Sequence, residues 1–270
     1  MKYIQNLHTH TVYCDGNDTP EEMIVFAKAK GFESIGFSGH SYMDYSDYMR
    51  GKDKTAEYIK DITALKEKYK GDFEIFLGLE VDMYSKIDPS LYEYLIGSVH
   101  YLKIGEEYVG FDRSAEVVQD VINRHFGGDG MAFARRYYEE LALLPKYGNF
   151  DIIGHFDLIS KNLDKICFFD EHSKEYLDAA FGAIEALKGK IPLFEVNTGA
   201  IARGYRKVPY PSPEIIKEFL RQGFGAVITS DCHNGEQLDC GFLDARELLL
   251  ECGFKERYIL TSSGFAPVSL

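Results

Sequence analysis

The sequence is short of the features that mark several protein classes. It has five cysteines, at 14, 167, 232, 240 and 252, and no Cys-x-x-Cys pair among them. An odd number in a chain of 270 residues argues for reduced thiols and a cytoplasmic location, not a disulfide framework. No apolar stretch approaches the roughly 18–20 residues that a membrane-spanning helix needs. The first residues, Met1-Lys2-Tyr3-Ile4-Gln5-Asn6, lack the apolar run of a signal peptide. There is no Lys/Arg run, and the formal net charge is −13. A protein that binds a phosphate backbone broadly needs a basic stripe to displace condensed counterions, so bulk nucleic-acid binding is disfavoured. A local basic pocket for one small phosphate stays open, because net charge does not forbid it. Gly127-Gly128-Asp129-Gly130 and the region after the first apolar run fit neither GxGxxG nor a P-loop, which removes the usual nucleotide signatures. Internal repeats, low-complexity tracts and Gly/Ser linkers are also missing.

What is present is a core-forming composition, with 45% hydrophobic and 14% aromatic residues. Length alone slightly favours two domains, yet α/β barrels occupy this size as one. Short apolar runs alternate with longer amphipathic segments. Strands are predicted at residues 3–7, 34–38, 73–81, 95–99, 151–154, 193–197 and 226–229, and helices at 20–30, 54–69, 174–189 and 213–222. Thr19-Pro20-Glu21-Glu22 has the form of a helix start, with a capping Thr, Pro at the first position and acids in the first turn. This alternation implies a parallel sheet, closed into a barrel or left open, and seven units fit the length. Residues 101–150 are about twice as long as a usual crossover. With an aromatic helix at 131–147, they are expected to form a helical insertion that makes a lid or a wall of the site.

The histidines carry the functional signal. Six of the eight fall at or just beyond the carboxyl end of a predicted strand: His8, His10, His40, His100, His155 and His233. Asp15, Glu80 and Asp231 share those positions. Side chains at these strand ends converge on one face of a (β/α) barrel. Six imidazoles and three carboxylates packed together without a cation would leave polar groups desolvated and badly paired. Imidazole and carboxylate suit Zn, Mn and Fe. Nine donors exceed the needs of one ion; two or three ions with a bridging carboxylate fit the count better, and paired metals can clamp both oxygens of a displacement at phosphorus. A lone strand-end His is ordinarily a hydrogen-bonded structural residue, and His-x-His arises by chance. Six independent placements on one face change that balance. His125 and His172, away from strand ends, read as ordinary surface residues.

Taken together, Leu7-His8-Thr9-His10-Thr11-Val12-Tyr13-Cys14-Asp15-Gly16, Gly78-Leu79-Glu80, Ser98-Val99-His100, Gly154-His155-Phe156-Asp157 and Ser230-Asp231-Cys232-His233 resemble the polymerase and histidinol phosphatase (PHP) family. Within it the chain is most similar to the monofunctional histidinol-phosphate phosphatases, from residue 1 to about 260. The resemblance implies a single-domain, distorted seven-stranded (β/α) TIM-like barrel with a trinuclear metal centre. It implies His8, His10, Glu80 and Asp231 on a first metal, Glu80 bridging to a second that adds His100 and His155, and Asp15, His40 and His233 on a third. Many relatives have Asp before the second-motif histidine. Gly39 stands there in this chain, which removes a supporting carboxylate but not the ligand.

The expected reaction is hydrolysis of a small phosphomonoester, with L-histidinol phosphate in histidine biosynthesis as the first substrate. A PHP-type phosphoesterase acting on nucleotides or nucleic-acid ends is the alternative, and a non-catalytic metal-binding module is a third reading that the complete donor set disfavours. Glu80, Asp231 and His233 are the candidate catalytic groups, with Asp231 or His233 giving the leaving alkoxide its proton. Arg203 and Lys161 are candidates for phosphate capture, since a guanidinium fork matches phosphate oxygens. Glu195 and Asn197, on the inward face of their strand, could meet a substrate amine or hydroxyl, or could stand behind the ligands. Cys14 and Cys232 are expected to be small fillers that point away. The native metal (Zn, Mn or Fe) and the oligomeric state are left open by the sequence.

Overall fold

In a strand, alternate side chains share a face, and here one alternate set changes character along each strand. Phe76, Gly78, Glu80 and Asp82 form one such series, Tyr94, Ile96, Ser98 and His100 another, and Val227, Thr229 and Asp231 a third. Each runs from apolar to polar in the amino-to-carboxyl direction. A barrel built on these strands therefore has a greasy floor and a polar mouth.

The computed structural model describes residues 4–46, 48 and 52–270. In chain order its elements are β1 (Gln5–Asn6), α1 (Pro20–Ala29), β2 (Ser34–Phe37), α2 (Lys52–Lys68), β3 (Glu74–Asp82), β4 (Tyr94–Ser98), β5 (Tyr101–Ile104), β6 (Glu107–Gly110), α3 (Ala115–Phe126), α4 (Gly130–Leu141), β7 (Ile152–Ile153), α5 (Lys174–Leu187), β8 (Leu193–Asn197), α6 (Gly199–Ala202), α7 (Pro213–Gln222), β9 (Gly225–Thr229), α8 (Phe242–Glu251), β10 (Glu256–Thr261) and β11 (Gly264–Ser269), with four short 3₁₀ turns between them. Seven parallel strands pair in the order β1-β2-β3-β4-β7-β8-β9. The ends of that sheet meet through a parallel bridge between Thr9 and Cys232, where His10 N donates to Cys232 O at 2.9 Å. The result is a nearly closed seven-stranded barrel in a single domain.

The seven expected strands are all present, each shifted by a residue or two at most, except that the first is shorter; Tyr3 lies outside the described residues. The four expected helices are present as well. At the start of α1 the Thr19 hydroxyl accepts from Glu22 N while Glu22 Oε2 accepts from Thr19 N at 2.8 Å, a capping box. The stretch at 101–150 is not purely helical. It opens with the antiparallel hairpin β5–β6, continues through α3 and α4, and closes with a 3₁₀ turn at Leu144–Lys146. The expected 131–147 helix therefore breaks after Leu141. A terminal hairpin, β10–β11, was not anticipated either. Both hairpins have irregular alternation, which is why periodicity alone passes over them.

The floor of the barrel is a separate apolar cluster: Leu7, Phe76, Tyr94, Ile96, Ile152, Leu193, Val227 and Leu260. Leu260 comes from the terminal hairpin, tied to β1 by a two-way bond in which Gln5 Nε2 donates to Leu260 O at 2.8 Å and Leu260 N donates to Gln5 Oε1 at 2.7 Å. Tyr94 crosses the interior, and its hydroxyl donates to Leu7 O at 2.6 Å. The ring fits because β3 has Gly78 opposite: a Cβ there would sit 2.3–2.7 Å from three Tyr94 ring atoms. Gly78→Ala should therefore destabilise the fold by about 1–3 kcal/mol through overpacking. Urea denaturation checks this, and an unchanged midpoint would show that the ring can move aside.

Candidate metal centre

The polar ends of the inward series meet at the mouth, where the strands deliver His8 and His10 (after β1), His40 (after β2), Glu80 (in β3), His100 (after β4), His155 (after β7), and Asp231 and His233 (after β9). Asp15 is returned to the same place by a tight loop, in which Cys14 N and Gly16 N both donate to Thr11 O at 3.0 Å. Only glycine fits at position 16, since a Cβ would lie 2.5 Å from the backbone of His10 and Thr11. Asp231 has a positive φ of 46°, a left-handed conformation unusual outside glycine that turns its carboxylate inward.

Glu80 is the hub. Oε2 lies 3.4 Å from His8 Nε2, 3.6 Å from His10 Nε2 and 2.8 Å from His40 Nδ1, while Oε1 lies 2.9 Å from His155 Nε2 and 3.4 Å from His100 Nε2. Asp231 Oδ1 completes the first group, at 3.1 Å from His10 Nε2 and 3.7 Å from His8 Nε2. On the outer side Asp15 contacts His233 Nε2 at 3.1 Å and His40 Nε2 at 3.6 Å. Three sets of donors close enough to share an ion result: His8, His10 and Asp231; His40, Glu80 and His100; and His10, Asp15, His40 and His233.

The test of whether these residues suit a metal is what their atoms lack. His8 Nε2, His10 Nε2 and Glu80 Oε2 are buried and make no well-directed hydrogen bond; His40 Nδ1 approaches Glu80 Oε2 at 2.8 Å but out of line. Left that way, each would carry a desolvation cost of about 1–3 kcal/mol. Glu80 Oε2 lies 3.4 and 3.6 Å from the two Nε2 atoms, close to the roughly 3.3 Å that separates donors of a tetrahedral ion with bonds of about 2.0–2.1 Å. The carboxylates also call for positive charge. Burial works to raise Glu80, Asp15 and Asp231, yet neighbouring imidazoles, and Arg203 for Asp231, hold all three below the usual carboxylate range. For His8, burial favours the neutral ring, while Glu195, Glu80 and Asp231 push its pKa well above the ordinary value. His10 goes the other way, to about 4, through burial and the nearby His233 and His40. The donor set fits divalent transition metals.

A buried layer orients the imidazoles. Glu195 Oε2 lies 2.8 Å from His8 Nδ1, so that Nδ1 holds the proton and Nε2 faces the donor cluster. Glu195 also accepts from His155 N, from the Thr229 hydroxyl and from Asn197 Nδ2, at 2.6, 2.9 and 2.8 Å. Glu195 and Asn197 are fully buried and lie under the histidines, not on the cavity wall. Of the two roles open to them from sequence, contact with a substrate amine or hydroxyl is the one this placement rules against. Asp82 backs His100, accepting from its backbone N at 3.1 Å and lying 3.4 Å from Nδ1. Asp82 went unnoticed in the sequence, although its place two residues after Glu80 on the inward face was a signal. At Gly39 the space is taken by Cys14, whose Sγ would be 3.3 Å from an added Cβ. Cys14 does not point away from the site as expected: Sγ lies 3.5 Å from His10 Nδ1, because the tight 11–16 loop folds it under that ring. Cys232 does turn aside, toward Asn6. His125 ends α3, and His172 is exposed beside Glu214, both far from this cluster in role.

Above the centre is a cavity of about 180 Å³, lined by the outer donors and by Tyr48, Asp112, Leu158, Lys161, Arg203 and Tyr205. Arg203 donates from Nη2 to Asp231 Oδ2 at 3.0 Å and from Nη1 to Asp231 O at 2.8 Å. Lys161 Nζ is 2.6 Å from Asp112 Oδ1 and 4.6 Å above the Tyr205 ring. Tyr48 stacks on His40 at a centroid distance of 4.6 Å. Tyr48, Asp112 and Tyr205 were missed by the sequence reading, since none belongs to a strand end.

A PHP domain family model matches residues 6–199, and the chain belongs to that family. It is 29% identical to the probable histidinol-phosphatase of Deinococcus radiodurans, over 91% of this chain and 92% of the relative. It is 26% identical to the histidinol-phosphatase of Bacillus subtilis, over 90% and 97% respectively. The histidinol phosphate phosphatase of Lactococcus lactis, solved with zinc, L-histidinol and phosphate, superposes with a TM-score of 0.72 at 21% identity, covering 98% of this chain and 99% of that one. That likeness establishes a shared fold.

Glu195→Gln should keep the shape of the layer but remove the charge that holds the His8 proton on Nδ1. Metal affinity is expected to fall about 10–100-fold, as for other outer-shell changes. Titration with a competing chelator measures it, and a wild-type affinity would show that Glu195 does not orient His8.

Proposed function

We propose that this protein is a metal-dependent phosphomonoesterase that converts L-histidinol phosphate to L-histidinol and phosphate, the histidinol-phosphatase reaction of histidine biosynthesis. The observation that carries the reading is the convergence of buried donor atoms from His8, His10 and Glu80, none with a well-directed hydrogen bond, beneath a small cavity lined by the cationic side chains of Lys161 and Arg203. The names of the Deinococcus and Bacillus relatives, each aligned along nearly the whole chain, supply the substrate. We assign two or three divalent ions (Zn, Mn or Fe) to the nine donors His8, His10, Asp15, His40, Glu80, His100, His155, Asp231 and His233. Bound there, such ions lower the pKa of water and neutralise charge on phosphoryl oxygens.

The side chains do the rest. Arg203 is anchored to Asp231 but lines the cavity with part of its guanidinium, where it would take a phosphate oxygen. Lys161, which also lines the cavity, would supply a second positive charge. Asp231, held ionised by Arg203 and the adjacent imidazoles, is suited to accept and not to give a proton. His233 is the better candidate donor to the leaving alkoxide. Its Nδ1 lies 3.1 Å from Asp231 O, which can only accept, and 3.0 Å from Arg203 Nη1, which can only donate, so Nδ1 bonds to one of the two at a time. A cavity of about 180 Å³ lies below the ~300–1,000 Å³ of pockets for drug-sized ligands and suits a small ester. All five thiols are free, which suits a reducing compartment such as the cytoplasm. No helix among the described residues is long and apolar enough to cross a membrane.

Phosphate release from L-histidinol phosphate, compared with nucleotides and a short oligonucleotide in the presence of Zn, Mn or Fe, tests the reading. Preference for histidinol phosphate is expected; preference for nucleotides or oligonucleotide ends would move the protein to another branch of the family, and no turnover on any would remove the enzymatic reading. His10→Ala and Glu80→Ala should each lose more than about 100-fold in kcat/KM, beyond the range of outer-shell changes, with the circular dichroism spectrum retained. Near-normal activity in either variant would reject the site.

A further inference from the structure

The cavity contains one carboxylate that the metal centre does not use. Asp15, Glu80 and Asp231 belong to the donor cluster, whereas Asp112 lines the cavity with Lys161 as its partner at 2.6 Å. It reaches this place by an indirect route. The chain leaves His100, makes the β5–β6 hairpin, and returns so that Phe111 N donates to His100 O at 3.2 Å, which sets Asp112 at the cavity wall. Two further contacts hold the segment: the Tyr48 hydroxyl donates to Asp112 O at 3.3 Å and Asn162 Nδ2 donates to Arg113 O at 2.9 Å. Burial acts to raise the Asp112 carboxyl, but Lys161 and then His100 hold it down at about 2, so it is an anion at neutral pH.

A carboxylate facing a phosphate site is a liability for a general phosphomonoesterase, because it repels the substrate's own charge. It becomes an asset if the ester carries a cation. Resting on the phosphomonoesterase reading above, we infer that Asp112 is the specificity-determining residue that selects esters bearing an ammonium group beside the phosphate. Before substrate arrives, Lys161 neutralises Asp112. The phosphate attracts Lys161 on one side, and the substrate ammonium replaces it against Asp112 on the other. The exchange keeps the buried Lys161 and the partly buried Asp112 each paired with an opposite charge, which offsets the cost of taking them out of water. An ester without the ammonium forces a choice: Lys161 stays with Asp112, or it follows the phosphate and leaves Asp112 unpaired.

The test compares L-histidinol phosphate with the analogue that lacks only its α-amino group, imidazolylpropyl phosphate, at a pH of about 8 where the imidazole is neutral. The wild-type protein should favour the amine in kcat/KM by about 30-fold or more, the scale of losing one partner of a buried charge pair. In Asp112→Asn that ratio should collapse toward unity, mainly through KM, and Asp112→Glu should restore part of it. If Asp112 merely positions Lys161, both substrates will lose activity together and the ratio will persist, which overturns the inference. Should the Asn variant fail to fold, binding of L-histidinol and of its desamino counterpart to the wild-type holoenzyme answers the same question, and equal affinities overturn it. Turnover of both esters at similar rates by the wild type would refute selection by Asp112 while leaving the phosphatase reading intact. Turnover of neither, with another phosphomonoester hydrolysed, would refute the histidinol phosphate assignment; Asp112 selection would then stand or fall on the same ratio measured for a matched amino and desamino pair of that ester class.

Discussion

Five imidazoles crowd around the buried carboxylate of Glu80, at 2.8–3.6 Å, and the rest of the molecule is arranged so that this can happen. A charge so placed costs several kcal/mol unless its surroundings answer it. The answer has three layers. Beside it are the donor atoms of His8 and His10, with no hydrogen-bond partner of their own. Beneath it lies Glu195, which sets the His8 tautomer and ties β8 to β9 through Thr229. Farther down, the apolar floor with Tyr94 across it keeps the strands at the spacing that brings their ends together.

This arrangement explains how one strand pattern serves both stability and chemistry. Side chains two residues apart share a face, so each strand can place an apolar residue in the floor and a polar one at the mouth. Phe76 and Glu80 do so on β3, Ile96 and His100 along β4 and its end, Val227 and Asp231 along β9 and its end. The division also means that a packing change such as an added methyl at Gly78 acts on the same barrel that presents the donors, without touching any of them.

The hairpin β5–β6 adds a different kind of component. The barrel strands converge on the metal centre, but the cavity above it is finished by residues from outside the sheet: Tyr48, Asp112, Lys161 and Tyr205. In (β/α) barrels the connecting loops vary while the strand ends hold the chemistry. Here the loop residues bring a second charge pattern, the Lys161–Asp112 pair, beside that of Arg203 and Asp231. The surface that meets a substrate is thus assembled from two sources with different constraints.

By itself the sequence determined the seven strands, their parallel sense, and the gathering of His8, His10, Asp15, His40, Glu80, His100, His155, Asp231 and His233 at one end. Period-two alternation and strand-end position are local features, so a linear reading can find them. The tertiary structure alone decided which residues stand behind that gathering and which stand over it. Glu195 and Asn197 share a face with the ligands but end beneath them. Cys14 turns toward His10 because its loop is tight. Asp112 comes back to the cavity only through a hairpin whose pairing no periodicity reveals. Depth along the barrel axis and the path of a long connection are set by packing among distant elements, and those distances are absent from the order of residues.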